Sequence, residues 1–385
     1  MNIRIKNISA IVLVAIASTA CEKTYPDVYD YQIPEQLDDG WETASLTSVG
    51  MDSSVIEQLV NRVYGKQYEN IHSIVIIKDG KLVFEEYWPG NDFGYNNPDY
   101  LGRHVEFDRN TRHNTHSATK SITSMVVGIA LDKGFIKSED NGIFDYLPNH
   151  SSLSSAGREN ITIRHLLTMS SGLQWNEWDV SVSESNHDII RFNQSANPVS
   201  YLLSKPLLSE PGTTFYYNGG GVDLLGQIVK NAVGEDIKAF SKTNLFSRLG
   251  ITNYYWQTLS PSGITCCHGD IYITPRDMAK LGYLFLNDGM WNGTRIISSE
   301  WISKSVQNHI SPGVSWADGY GYLWWLRNYH SGGITYSSYR AEGWGGQMII
   351  VIPDEKMVVV FTGANYVSDS PCDEIMRDYI LPSLK

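Results

Sequence analysis

The residues best equipped for covalent chemistry are Ser117 and Lys120, within His116-Ser117-Ala118-Thr119-Lys120-Ser121. A serine hydroxyl is a weak nucleophile until a neighbouring group takes its proton. A lysine three residues further along a helix lies about one turn up the same face, within reach of that hydroxyl. It can act as a base only where burial or nearby cations disfavour its charge. The Ser-x-x-Lys tetrad occurs once in the 385 residues.

The elements around it are legible from periodicity. Ile122, Met125, Val126, Ile129 and Ala130 recur at the spacing of one buried helix face, which places Ser117 in the first turn. A helix N-terminus there favours the negative charge that develops on an attacked carbonyl oxygen. Val55, Ile56, Leu59, Val60 and Val63 predict a helix over 51–64. Ile74 to Ile77 and Leu82 to Phe84, joined through Asp79-Gly80, predict a β-hairpin. Met348–Ile352 and Met357–Phe361 around Pro353 predict another. Between these strands the pattern is helical at 121–133, 162–169, 222–233, 236–249, 275–287 and 298–307. The expected architecture is α/β, an antiparallel sheet built from both chain ends and flanked by helices, with a mainly helical subdomain at roughly 135–310 inside a domain spanning 46–385.

Composition bounds the rest. A hydrophobic content of 42% over 385 residues suits one large globular unit. The net charge of −12 argues against nucleic acid as a partner. Arg4 and Lys6 precede an apolar run, Ile8 to Ala17, too short to span a bilayer. Ser18-Thr19-Ala20-Cys21 then resembles a bacterial lipobox, although Ser18 stands where such boxes usually carry Leu; an ordinary secretory signal is the alternative. The expectation is a signal peptide over 1–20, lipidation at Cys21, a tether over 21–45, and an exported protein anchored to a bacterial membrane on its periplasmic or cell-surface face. Cys266, Cys267 and Cys372 remain in the body, as a disulfide or as buried thiols. Cys266-Cys267-His268 lacks a second His/Cys pair at ligand spacing, so no metal is expected.

Taken in order, several segments resemble the β-lactamase-related serine hydrolases, the broad family holding class C β-lactamases, D-alanyl-D-alanine carboxypeptidases, family VIII esterases and 6-aminohexanoate-dimer hydrolases. They are Ser117 to Ser121, Ile163 to Gly172, Pro211-Gly212 with Phe215 and Tyr217, Thr274 to Lys280, Tyr320 to Trp325, and Gly343 to Gln347. The resemblance runs from about Met51 to the C-terminus and implies that family's fold, with no metal or organic cofactor.

It also implies site residues. The family's second motif is Tyr-x-Asn, whose phenol acts as base when a lysine lowers its pKa. Tyr216-Tyr217-Asn218 spells it directly, but a gapless frame from Pro211 to Gly226 puts the phenol at Tyr217 and a glycine, Gly219, in place of the Asn; Tyr217 is preferred and Tyr216 stays open. The third motif, Lys-Thr-Gly or His-x-Gly in relatives, is Gly343-Trp344-Gly345 here, without its leading cation. That absence argues against strong binding of a penicillin or peptide carboxylate. The resemblance places the oxyanion hole at the N–H groups of Ser117 and Gly346, with Trp344 flanking a cleft near Trp175, Trp178, Trp324 and Trp325. The expected activity is hydrolysis of small esters or short amides through an acyl-enzyme on Ser117; the alternatives are a D-amino-acid peptidase and a surface lipoprotein that binds with little turnover. His113, His116 and His165 suggest no Ser-His-Asp triad, because no Gly-x-Ser-x-Gly elbow encloses a serine.

Overall fold

The computed structural model describes residues 28–178, 180, 184 and 186–384. The expected signal peptide, Cys21 and the first part of the tether lie outside them.

The continuous apolar strands, buried on both faces, decide the architecture. Among the described residues the main sheet has eight strands: β1 (Glu42–Thr43), β2 (Ile71–Lys78), β3 (Lys81–Tyr87), β4 (Gly319–Tyr320), β5 (Trp325–Ser331), β6 (Ile334–Gly343), β7 (Gln347–Ile352) and β8 (Met357–Gly363). Their order is β1-β3-β2-β8-β7-β6-β5-β4. The antiparallel pair β2/β8, with Ile76 opposite Val359, joins strands from the two chain ends. Side chains alternate across a strand. Accordingly Ile74 and Ile76 enter one core layer with α1 (Ser53–Tyr64) and the C-terminal turns, while Val75 and Ile77 enter the other.

The second layer holds α2 (Thr119–Asp132), α3 (Gly219–Val233) and α4 (Pro275–Leu286). Every residue of α2 from Thr119 to Ala130 is buried, because the helix lies between the sheet and α3. Its hydroxyls are satisfied by carbonyls of neighbouring segments: Ser121 Oγ donates to Leu323 at 2.6 Å and Thr123 Oγ1 to Cys267 at 2.9 Å. No helix of the described residues is long and apolar enough to cross a membrane.

Three expectations are corrected. The pattern at 236–249 is not one helix but three short pieces, Ile237–Ser241, a π turn Lys242–Phe246 and a 3₁₀ turn Ser247–Leu249. Ser117 precedes α2 in a 3₁₀ turn, His116–Ala118, rather than sitting in its first α-turn. Residues 28–45, expected as tether, pack on the body: Trp41 is buried, Tyr29 donates to Glu86 at 2.6 Å, and β1 pairs with β3. Aromatic anchors, which a solvated linker would lack, explain the difference. Cys266, Cys267 and Cys372 are all buried free thiols.

Arg276 fastens that N-terminal segment to α4. Its guanidinium meets Glu85 at 2.5 and 2.7 Å, Asp39 at 2.7 Å and the Glu35 carbonyl at 3.0 Å. Replacing it leaves the buried Glu85 carboxylate short of its main partner, so Arg276→Met should lower stability by about 3–5 kcal/mol in urea unfolding. Limited proteolysis of that variant should cut within residues 28–41 first.

Candidate active site

The nucleophile is presented by a sharp turn. Strand His113–Asn114 pairs with Ile271–Ile273, after which His116 adopts φ +45°, a conformation costing a non-glycine residue about 1–2 kcal/mol. The turn is held from both sides. His116 N–H donates to Asn114 Oδ1 at 2.9 Å, and Thr115 Oγ1 donates to the Ile271 carbonyl at 2.9 Å. Ser117 therefore opens onto a cleft of about 480 Å³.

Lys120, one turn on, is 2% exposed. Its Nζ donates to Ser117 Oγ at 2.9 Å and to the His268 carbonyl at 2.7 Å, and lies 4.8 Å from the centre of the Tyr217 ring. Among the described residues no carboxylate lies within ion-pair distance. Burial holds its pKa below the ordinary lysine value, while the more distant Glu177, Asp223 and Asp270 only partly oppose this. The condition set by the sequence, a lysine whose charge is disfavoured, is met by desolvation.

The His268 carbonyl is aimed by Asp223 of α3, whose carboxylate accepts from the N–H groups of Cys267 at 2.5 Å and His268 at 2.9 Å and pairs with His268 Nδ1 at 2.7 Å. Ligand atoms of Asp223, Cys266 and His268 all lie within 4.8 Å of one another. Both Asp223 oxygens are already engaged, and burial pushes the Cys266 thiol far up, whereas a metal would require thiolate. The cluster fits a support for the Lys120 turn better than a metal site.

Of the two tyrosines, Tyr217 faces the nucleophile: it lines the cleft with Ser117, and its ring stacks on Trp178 at 4.7 Å. Tyr216 lies off the cleft, its N–H donating to the Met169 carbonyl. Asn218 caps α3 through Gly221 N–H at 2.9 Å. Gly219 N–H donates to Glu177 Oε2 at 2.7 Å, and a Cβ at 219 would come within 3.0 Å of that oxygen. A carboxylate thus fills the space into which a side chain at 219 would project. The expectation that lysine lowers the phenol's pKa is corrected. Burial, then the Glu177 charge, pushes the Tyr217 phenol well up, opposed only by the neighbouring Ser117 hydroxyl.

The third motif acts through backbone. A Cβ on Gly343 would lie 2.1 Å from the Thr115 carbonyl oxygen, so β6 can rest on the nucleophile turn only with glycine there, and no cationic side chain could stand at 343. The chain then turns through Gly345 and Gly346 at φ +84° and +89°. The N–H groups of Ser117 and Gly346 have no backbone acceptor among the described residues, and both residues border the cleft. Trp344 lines it too, its Nε1 donating to the Tyr366 carbonyl at 2.9 Å.

Of the other aromatics expected around the cleft, Trp178 and Trp325 line it. Trp324, in the turn just before β5, does not: it lies in the core against Phe285 at 4.5 Å. Trp175 sits behind the wall, donating to Glu177 Oε2 at 2.7 Å. His165 closes a capping box with Thr162, and His113 stacks on Phe107 at 4.5 Å. Sequence reasoning missed Glu177, His187, Trp316 and Asp223; only Trp175-Asn176-Glu177-Trp178, an acid between two tryptophans, carried any signal.

Comparison with known proteins places this geometry. The family model described as beta-lactamase matches residues 72–380. The chain belongs to the beta-lactamase family. It is 27% identical over 330 residues to an uncharacterized protein of Alkalihalophilus pseudofirmus, covering 77% of this chain and 87% of that one. It is 25% identical over 205 residues to a 6-aminohexanoate-dimer hydrolase of Paenarthrobacter ureafaciens, about half of each chain (51% and 51%). The structure of a family VIII carboxylesterase superposes with a TM-score of 0.63 at 18% identity, covering 83% of this chain and 92% of that one, a likeness of fold. The beta-lactamase family consists of serine hydrolases, and a hydrolytic enzyme is what membership supports.

In this family member the contact of Gly343 with the Thr115 carbonyl sets how closely β6 approaches Ser117. Gly343→Ala should lower ester kcat/KM by roughly 100-fold, as displacement of reacting groups by about an ångström does. Circular dichroism should show the secondary structure intact.

Proposed function

We propose that this protein is a serine hydrolase that cleaves carboxylic esters or short amides by double displacement at Ser117. The observation that carries it is the buried Lys120 ammonium 2.9 Å from Ser117 Oγ, on the floor of an open cleft. With Lys120 in its amine form, the proton of Ser117 passes to Nζ as Oγ attacks the substrate carbonyl carbon. The oxyanion is held by the N–H groups of Ser117 and Gly346, each such donor contributing about 3 kcal/mol in the transition state. As the bond to the leaving group breaks, a proton returns to it through the Tyr217 phenol. Water then attacks the acyl-enzyme by the same route, releasing the acid and restoring Ser117. Tyr217 serves as a neutral relay in this reading, in keeping with its raised pKa.

Esters and short amides are favoured over penicillins because position 343 holds no cation, while Glu177, Glu342 and Asp369 line the cleft. The leader pattern around Cys21 supports an enzyme exported and lipid-anchored to a bacterial membrane, and the net charge of −12 agrees with small-molecule substrates rather than nucleic acid.

The test is mass spectrometry of the protein after exposure to a fluorophosphonate, with turnover of p-nitrophenyl esters measured in wild type and Ser117→Ala. An adduct on Ser117 and loss of at least 1,000-fold in turnover in the variant are expected, since loss of a catalytic nucleophile costs about that or more. Absence of both adduct and turnover in wild type would instead identify a binding protein.

A further inference from the structure

The cleft has an electrostatic character that its fold does not require. Glu177 enters it from the segment between the helices Ile163–Leu167 and Asp188–Gln194, held by Trp175 Nε1 and Gly219 N–H, both at 2.7 Å and both on Oε2. Neither donor is a cation, and no lysine or arginine among the described residues forms an ion pair with Glu177. Glu342 differs, since Arg340 lies 2.7 Å from it. Glu177 therefore brings an unneutralised negative charge to the cleft wall. Its bonds to neutral donors hold it in place without cancelling that charge.

Beside it is a wall of aromatic faces. Trp178 stacks on Tyr217 at 4.7 Å and on Trp325 at 5.9 Å, and Trp316 meets Trp325 at 4.5 Å. Aromatic faces attract cations through their quadrupoles, and tryptophan does so most strongly. A third feature is His187, 1% exposed and lining the same cleft. Its Nδ1 has no hydrogen-bond partner among the described residues. In the tautomer that carries its proton on Nε2, this Nδ1 offers a lone pair to a donor. A carboxylate, an acceptor nitrogen and aromatic faces together match an ammonium group, which offers only donors and positive charge.

Building on the hydrolase reading, we propose that the cleft selects esters or amides that carry an ammonium group, seated between Glu177 and the exposed ring of Trp178. An anionic substrate meets repulsion at the same place, and the net charge of −12 draws cationic substrates toward the protein. The competing role for Glu177 is to balance Lys120 alone, in which case its charge affects every substrate equally.

The test uses a matched pair, the p-nitrophenyl esters of 4-(aminomethyl)phenylacetate and 4-ethylphenylacetate, which differ in an ammonium against a methyl. Wild type should prefer the ammonium ester by roughly tenfold or more in kcat/KM, the scale of one charge-assisted contact. Glu177→Gln, which keeps an oxygen acceptor for Trp175 and Gly219, should collapse that ratio toward unity, and added salt should reduce it in wild type. Equal kcat/KM for the two esters in wild type, or an unchanged ratio in Glu177→Gln, would overturn the proposal. Should neither ester turn over, the hydrolase reading fails by itself, and selectivity is read from tryptophan fluorescence in titrations with the two corresponding phenylacetamides. Tighter binding of the ammonium compound that depends on Glu177 supports the proposal, and equal binding overturns it.

Discussion

The arrangement depends on one constraint: an ammonium group is buried with only a hydroxyl and a carbonyl as hydrogen-bond partners. Lys120 Nζ is removed from water and bonded to Ser117 Oγ and the His268 carbonyl, with no carboxylate at contact distance among the described residues. Desolvation of this kind destabilises the charged form. It is tolerated because the surroundings are over-determined. Asp223 fixes the His268 turn, the Thr115 and Thr119 hydroxyls fix the start of α2, and Gly343 lets β6 close over both. Relieving the constraint with a nearby carboxylate would make Lys120 a better cation and a poorer base.

That constraint also explains the behaviour of the tyrosine. In a site this dry, burial acts on Tyr217 in the opposite sense from Lys120, raising the phenol as it lowers the ammonium. The Glu177 charge reinforces the first effect and partly opposes the second, since it favours the protonated form of both groups. The phenol therefore stays protonated as a donor and relay, and the amine is the group whose proton affinity has been lowered.

Much of this was legible in the sequence because period and spacing encode it. The continuous apolar runs Ile74 to Ile77 and Met357 to Phe361 gave the central strands, and the apolar face of 122–130 gave the helix that carries Lys120. What escaped depends on contacts between residues far apart in the chain. Nothing near position 177 announces that its carboxylate will fill the space beside Gly219, and Asp223 reads as an ordinary helical acid until the fold brings it to His268. Trp324 and Trp325 look equivalent in sequence, yet one faces the core and the other the cleft. The break of 236–249 into three pieces and the packing of residues 28–45 were likewise decided by tertiary contacts rather than by local pattern.

The most direct test of the account is the pH dependence of kcat/KM for a neutral p-nitrophenyl ester in wild type and Tyr217→Phe. A lysine base must lose its proton to act, so activity should rise with pH through a midpoint below the ordinary lysine value of about 10.4. Tyr217→Phe should be slower yet keep that rising limb, because the titrating group is still present. A limb that disappears in Tyr217→Phe, or a wild-type midpoint at or above the ordinary lysine value, would contradict the central claim that the buried Lys120 amine activates Ser117.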